Sequence, residues 1–237
     1  MSGGLRLVSL DKVAKLSDAE RLREVFGVSD SAQIVHIKGF GNGIDFTSEF
    51  NSSARAEALK VIESVDAKAI VWDGDDFNQT GFTSLVPLCA ASGAEMRFVA
   101  FRRDDGESVK ALQASWNEFA GSTRLPVTVV LVPHDVGLDG LSSLDAESPL
   151  FWAQLGLVAI KCSGSQRSLC LGGGDTVVQE ALLSPTVKFD VWCVKRRNIN
   201  TSAIQLTAFE SMEKLPPNVT LYNGSHPRSC RFGESVC

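Results

Sequence analysis

Six or seven times along 237 residues, a short apolar run gives way to an amphipathic stretch of helical period. Such alternation predicts a parallel sheet wrapped by helices, because each run buries its faces only when a crossover helix packs on it. The predicted strands are Gln33 to Lys38, Lys68 to Trp72, Glu95 to Phe101, Val127 to Val132, Ser168 to Leu171 and Lys188 to Val194. Val127 to Val132 is wholly apolar and suits a strand covered on both faces. Helical spacing marks Ser53 to Val65, Thr83 to Ala90, Val109 to Ala120, Leu150 to Ile160, Val177 to Leu183 and Ile204 to Met212. Pro216-Pro217 stops the last of these, and Val219 to Tyr222 reads as an edge strand. The expected fold is α/β: a Rossmann-like three-layer αβα arrangement, its mainly parallel sheet holding six to seven strands with right-handed crossovers. Residues 1–30 read as a helical lead-in, 31–223 as one α/β domain and 224–237 as a loosely held tail.

Within that frame the densest signal is Ser168 to Leu183, SLCLGGGDTVVQEALL, where an apolar run stops at three glycines and restarts as a helix. Asp175 or Thr176 opens the helix, and Thr176 and Gln179 stand at capping-box spacing. A helix start presents backbone N–H groups without partners and a positive dipole end. Glycines let a phosphate or carboxylate approach them. Gly172, Gly173, Gly174, Asp175 and Thr176 are therefore candidate ligand-binding residues. The structural alternative is that the glycines only tighten a strand-to-helix turn.

Gly172-Gly173-Gly174-Asp175-Thr176-Val177 resembles the nucleotide loop of phosphoglycerate kinases, where a strand ends in GGGDT or GGGDS and a helix follows. Pro149 to Gln166 fits loosely as the preceding helix. The resemblance is local: the chain has no counterpart of that family's substrate domain, and Lys195-Arg196-Arg197 stands where a second glycine-rich loop would follow. It implies a local design that, in those kinases, holds nucleotide phosphates and places an Asp near magnesium.

In an open parallel sheet, ligands bind beyond the carboxyl ends of the strands. That rule gathers Gly39 to Asp45, Asp73 to Asp76, Arg102 to Asp104, His134-Asp135, Gly172 to Thr176 and Lys195 to Arg197 on one rim. Asp73 and Asp75 offer oxygen ligands of the kind magnesium takes, although Asp and Gly also simply make turns. His134 and Asp75 are the candidate acid/base residues, and Lys195 and Arg196 the candidate anion partners.

Composition narrows the function classes. A net charge of −5 and a pI near 5.3 give no field for nucleic acid. No apolar run spans a bilayer and Met1 to Lys15 lacks a signal-peptide pattern, so the expectation is a cytoplasmic or other intracellular protein with no membrane partner. Six cysteines without a C-x-x-C pair read as free thiols. Asn51, Asn78, Asn200, Asn218 and Asn223 each begin an N-x-S/T sequence, of which capping explains at least Asn51 and Asn200. Two functions compete on this reading. One is binding of a nucleotide or phosphorylated small molecule, extended to magnesium-assisted phosphoryl transfer or hydrolysis. The other is a non-catalytic Rossmann-like protein-interaction module.

Overall fold

The computed structural model describes residues 5–39, 44–45, 52–73, 96–104, 127–133, 149–194, 196–198, 204–205, 207–223 and 226–228, with 106, 109–110 and 114 singly. In chain order the strands are β1 (Leu5–Ser9), β2 (Ile34–Lys38), β3 (Ile44–Asp45), β4 (Ala69–Asp73), β5 (Arg97–Arg103), β6 (Val127–Val132), β7 (Arg167–Leu171), β8 (Lys188–Trp192), β9 (Arg196–Asn198), β10 (Ile204–Gln205), β11 (Val219–Asn223) and β12 (His226–Arg228). Nine of them form one sheet in the order β1-β6-β5-β4-β2-β7-β8-β11-β12. Every neighbouring pair is parallel except the β11–β12 hairpin. The other three make a small antiparallel sheet, β10-β9-β3.

This is the α/β fold with a parallel sheet that the alternation of patterns predicts. The strands form where β-branched and aromatic residues run together, and both of their faces are buried, as in Ile34, Val35 and Ile37 of β2. On one face, α3 (Ser52–Ser64) presents Ala54, Ala58 and Ile62 to Val35, Ile37, Ile70, Trp72, Phe98 and Leu169. On the other, α4 (Pro149–Ser163) packs Leu155, Val158 and Ala159 on Val71, Val99, Phe101 and Val130. Beside it α5 (Asp175–Leu183) packs Val177 and Ala181 on Cys170, Phe189 and Val191. Each fully buried side chain of this size contributes about 1.5–3 kcal/mol relative to exposure.

Several expectations are corrected. The lead-in is not wholly helical: Leu5–Ser9 is a parallel strand on β6, followed by α1 (Leu10–Ala14) and α2 (Asp18–Arg21). The Ser17–Glu20 capping box does form, and Gly27 ends that stretch at φ 70°. Ile204 to Met212 is not a helix; it holds β10 and a 3₁₀ turn, Ala208–Ser211, capped by Thr207 and Glu210. Val219 to Tyr222 is not at the edge, because β12 in the supposed tail pairs with β11. These additions raise the predicted six or seven strands to nine. Asn218 spends its side-chain amide on the carbonyls of Ala181, Ser184 and Val187, which gives that Asn a structural role. The predicted helices at Thr83 to Ala90 and, for the most part, Val109 to Ala120 lie outside the described residues, as does the loop from His134 to Ser148.

The chain steps outward from β2 through β4, β5 and β6, then returns to lay β7 on the other side of β2 before continuing to β8 and β11. The strand order therefore reverses between β2 and β7. Open α/β sheets leave a crevice at such a reversal, beyond the carboxyl ends of the strands.

Candidate functional site

The carboxyl ends of β2 and β7 carry Lys38 and the Gly172–Gly174 turn, and β4 ends beside them at Asp73. All three strands are parallel, so Asp73 and the glycine turn share one edge of the sheet. Two further rim loops meet there. The chain leaving β2 pairs as β3 with the chain leaving β8 as β9, placing Asp45 opposite Arg197 and Ile44 opposite Asn198. Because β7 lies between β2 and β8, this ribbon brackets the outlet of β7, where the glycines stand. Arg196 is in the ribbon, in register with Gln205.

The glycine turn is built for backbone reasons that the sequence suggests but does not specify. Gly172 and Gly173 have φ of 77° and 133°, conformations that L side chains rarely adopt. A Cβ on Gly173 would also sit 2.9 Å from Val177 Cγ2. The Gly172 N–H donates to the Trp192 carbonyl, extending the β7–β8 ladder. The Gly173 carbonyl accepts from the Thr207 hydroxyl at 3.0 Å and the Ala208 N–H at 2.9 Å. Asp175 does open α5, as the first of its two expected starts, and the N-cap before it is Gly174, which has no side chain to occupy the helix end. The Thr176–Gln179 capping box is thus not the device that starts this helix. Among the described residues a Cβ on Gly174 would meet nothing within 4 Å.

Directly behind the turn lies a group of residues that sequence reasoning did not assemble. Lys38 Nζ donates to Asp73 Oδ2 and, at 2.5 Å, to Glu180 Oε1, while His36 Nε2 stands 2.7 Å from Asp73 Oδ1. The four side chains are 0–6% exposed. His36 and Lys38 alternate onto the same face of β2, Asp73 ends β4 on that face, and Glu180 comes down from α5. Gly156 of α4 closes the group from above. A Cβ there would fall 2.3 Å from Glu180 Oε1 and 2.7 Å from Asp73 Oδ2, so only glycine lets the helix backbone come this close.

Electrostatics assign the protons. Burial would push the Asp73 carboxyl up, yet Lys38 and His36 together hold it below the usual carboxylate range. Burial likewise opposes charge on Lys38, but its two carboxyl neighbours raise its pKa. For Glu180 burial wins, and the carboxyl is pushed up to about 8. Burial also lowers His36, against the pull of Asp73. At neutral pH the group therefore holds one ammonium, one carboxylate, a protonated Glu180 and a neutral imidazole. A second buried carboxylate beside a single ammonium would be uncompensated. Asp73 only accepts, so His36 carries its proton on Nε2 and leaves Nδ1 as a bare lone pair. Among the described residues neither His36 Nδ1 nor Glu180 Oε2 has a hydrogen-bond partner. Cys170, opposite Lys38 in the β2–β7 register, is a buried thiol pushed up to about 12 by desolvation.

For the predicted residues the result is mixed. Gly172, Gly173, Gly174, Asp175 and Thr176 are brought to the switch point together with Asp73. Both oxygens of Asp73 are engaged by nitrogen donors, so a magnesium ion at Asp73 would compete with His36 and Lys38. Among the described residues no group of three or more His, Cys, Asp or Glu could hold a metal ion. Asp75, His134 and Lys195 lie outside the described residues. Arg103, in the predicted Arg102 to Asp104 loop, is absorbed by structure: it lies 4.8 Å over the Phe151 ring and donates to the Pro133 and Phe151 carbonyls. Two open clefts of about 590 and 380 Å³ lie at the opposite edge of the sheet, beside Gln33 and Arg97 and beside Gln166 and Val187. They are remote from the strand reversal and hold none of the predicted site residues.

What could have revealed the buried group is the presence of His and Lys in IVHIK, an otherwise apolar strand, and of Glu180 on the apolar face of its helix. No protein-family model, curated protein or solved structure matches the chain. Among the described residues no helix is long and apolar enough to cross a membrane.

Proposed function

We propose that the protein binds a small anionic ligand, a nucleotide or other phosphorylated molecule, at the β2/β7 switch point. The observation that carries this reading is the N-terminus of α5, capped by a glycine that has no side chain and set where the order of the described strands reverses. Backbone N–H groups and the helix dipole favour an anion there by about 0.3–1 kcal/mol, and by up to about 2 in partly buried geometry. Arg196, in the bracketing ribbon, and the neighbouring Lys195 are the cations assigned to the same ligand. The catalytic extension is phosphoryl transfer or hydrolysis with magnesium, for which Asp75 and His134 are the residues to examine.

A thermal-shift screen of nucleotides and sugar phosphates, with and without magnesium, tests it. A ligand at about a hundred times its Kd stabilises the fold by about 2.7 kcal/mol. Gly173→Val is a poor probe, since its backbone and its contact with Val177 disturb the turn whatever it binds. Gly174→Ala is the informative variant: its Cβ meets no described atom within 4 Å, so it should melt within about 1 kcal/mol of the parent, the cost of a poorer N-cap, while its methyl group obstructs the anion and removes the ligand shift. A Gly174→Ala protein that keeps the full shift rejects the site. The alternative is the interaction-module reading, for which the φ of 133° and the contact with Val177 leave Gly173 a structural reason without a ligand. It takes precedence if no phosphorylated compound shifts the melting temperature.

A further inference from the structure

The buried group behind the glycine turn has two carboxyls and one cation, and it shares α5 with the proposed anion site. Gly174 caps that helix and Glu180 lies in its second turn, about 9 Å along the axis at about 1.5 Å per residue. We propose, resting on the anion-binding reading above, that the crevice takes up a proton together with its anion and that Glu180 is the group that holds it.

The geometry leaves Glu180 no other way to accommodate a nearby negative charge. Its Oε1 is bonded to Lys38, whose ammonium also serves Asp73. The α4 backbone at Gly156 lies so close over the same oxygen that a Cβ there would fall 2.3 Å from it, and Oε2 has no partner among the described residues. An anion at Gly174 and a carboxylate at Glu180 would repel through protein. At a separation on the order of that axial rise, two unit charges at an effective dielectric of about 20 disfavour one another by about twentyfold in affinity. The ligand therefore selects protonated Glu180.

The partners of Glu180 in the buried group, and Cys170 beside them, are displaced away from the window in which it titrates. From β2, His36 is lowered and Lys38 raised; from β4, Asp73 is lowered; from β7, Cys170 is pushed up to about 12. Gly156 of α4 carries no titratable group. Glu210, on the 3₁₀ turn beside α5, accepts the Thr207 N–H at 3.2 Å, and Asp175 is an exposed acid in the first turn of α5 itself. Glu180, near 8, is the member of the buried group whose protonation changes between neutral and mildly alkaline pH.

Sulfate is the probe, because it stays dianionic throughout this range. Calorimetric titration of the full chain at about pH 6.5 and about pH 9, at one low ionic strength, should show affinity falling about sevenfold to tenfold, the share of the repulsion that a group titrating near 8 can deliver between those pH values. Near pH 8, repeating the titration in buffers of different ionisation enthalpy should reveal uptake of a fraction of a proton per sulfate. Glu180→Gln should bind at both pH values with the parent's low-pH affinity and take up no proton. Gly174→Ala should lose sulfate at both. Sulfate binding that is lost in Gly174→Ala but does not vary with pH, and takes up no proton, overturns the proton coupling and leaves the anion site standing. If sulfate does not bind at either pH, or binds Gly174→Ala as well as the parent, the anion-binding reading falls and the coupling with it. Should Glu180→Gln fail to fold, proton uptake by the parent decides the matter.

Discussion

Two buried acids lie on opposite faces of the sheet and are served in opposite ways. Glu180 shares a single ammonium with Asp73 under α4 and α5, and one of its oxygens is unpartnered among the described residues. Asp190, on the α3 face of β8, accepts from Arg167 Nε at 2.7 Å and the Tyr222 hydroxyl at 3.2 Å, with Lys188 Nζ at 3.1 Å. Its cations are a quarter to a half exposed, so they remain partly hydrated while they neutralise it. The second arrangement is complete: more donors than the acid needs, and water at hand. The first is short of cations and dry. Burial and charge imbalance of that kind are what structures built only for stability avoid, and they cluster where proteins bind or react.

The comparison breaks most sharply at the cations. Lys38→Met should cost about 3–5 kcal/mol in urea unfolding, because it strands Asp73 in a dry interior. Arg167→Met should cost about 1 kcal/mol, since Asp190 keeps Lys188 and Tyr222 and the lost cation was partly solvated. Equal losses would show that the two centres are energetically alike.

The pH dependence should come next in size. The folded value of Glu180 is raised above its unfolded one near 4.5, so its stabilising contribution is complete below that value and is lost as pH rises through about 8. Each unit between the two is worth about 1.4 kcal/mol, so between about pH 5 and 9 the parent should lose roughly 2–4 kcal/mol relative to Glu180→Gln. His36 acts in the other direction. Its folded value is depressed, so its contribution is present above about 6.5 and is lost as pH falls. Below about pH 6.5 the two contributions oppose one another, so denaturation midpoints in the parent should change little up to there and fall above it, and that alkaline limb should flatten in Glu180→Gln. An unchanged limb would place Glu180 outside the titration.

Gly156→Ala should cost about 1–3 kcal/mol by forcing a methyl group against the two carboxyls. The loss should shrink in a Glu180→Ala background, where the oxygen it strikes is gone, and a double-mutant cycle reads that relief directly. The smallest effect belongs to the better-served acid. Tyr222→Phe removes one hydrogen bond to Asp190 but keeps the ring stacked on Trp192 at 5.0 Å, so about 0.5–1.5 kcal/mol is expected. A larger loss would mean that Asp190 depends on its hydroxyl partner more than on its cations.

The sequence by itself determined the α/β class, the interior strands, the long helices α3 and α4, and the glycine turn leading into α5. Those follow from local periodicity and from backbone conformations that glycine adopts most readily. It did not reveal β1, whose pairing with β6 joins residues more than a hundred positions apart, nor the 3₁₀ turn at Ala208–Ser211, where Phe209 and Met212 imitate helical spacing. The strand order, and with it the reversal beside β7, came only from the tertiary structure. So did the meeting of His36, Lys38, Asp73 and Glu180, whose partners lie 35 to 142 positions apart. The division has a physical cause. A backbone preference is settled within a few residues of chain, whereas the state of a buried charge is set by whichever side chains the fold places against it and by how much water it excludes.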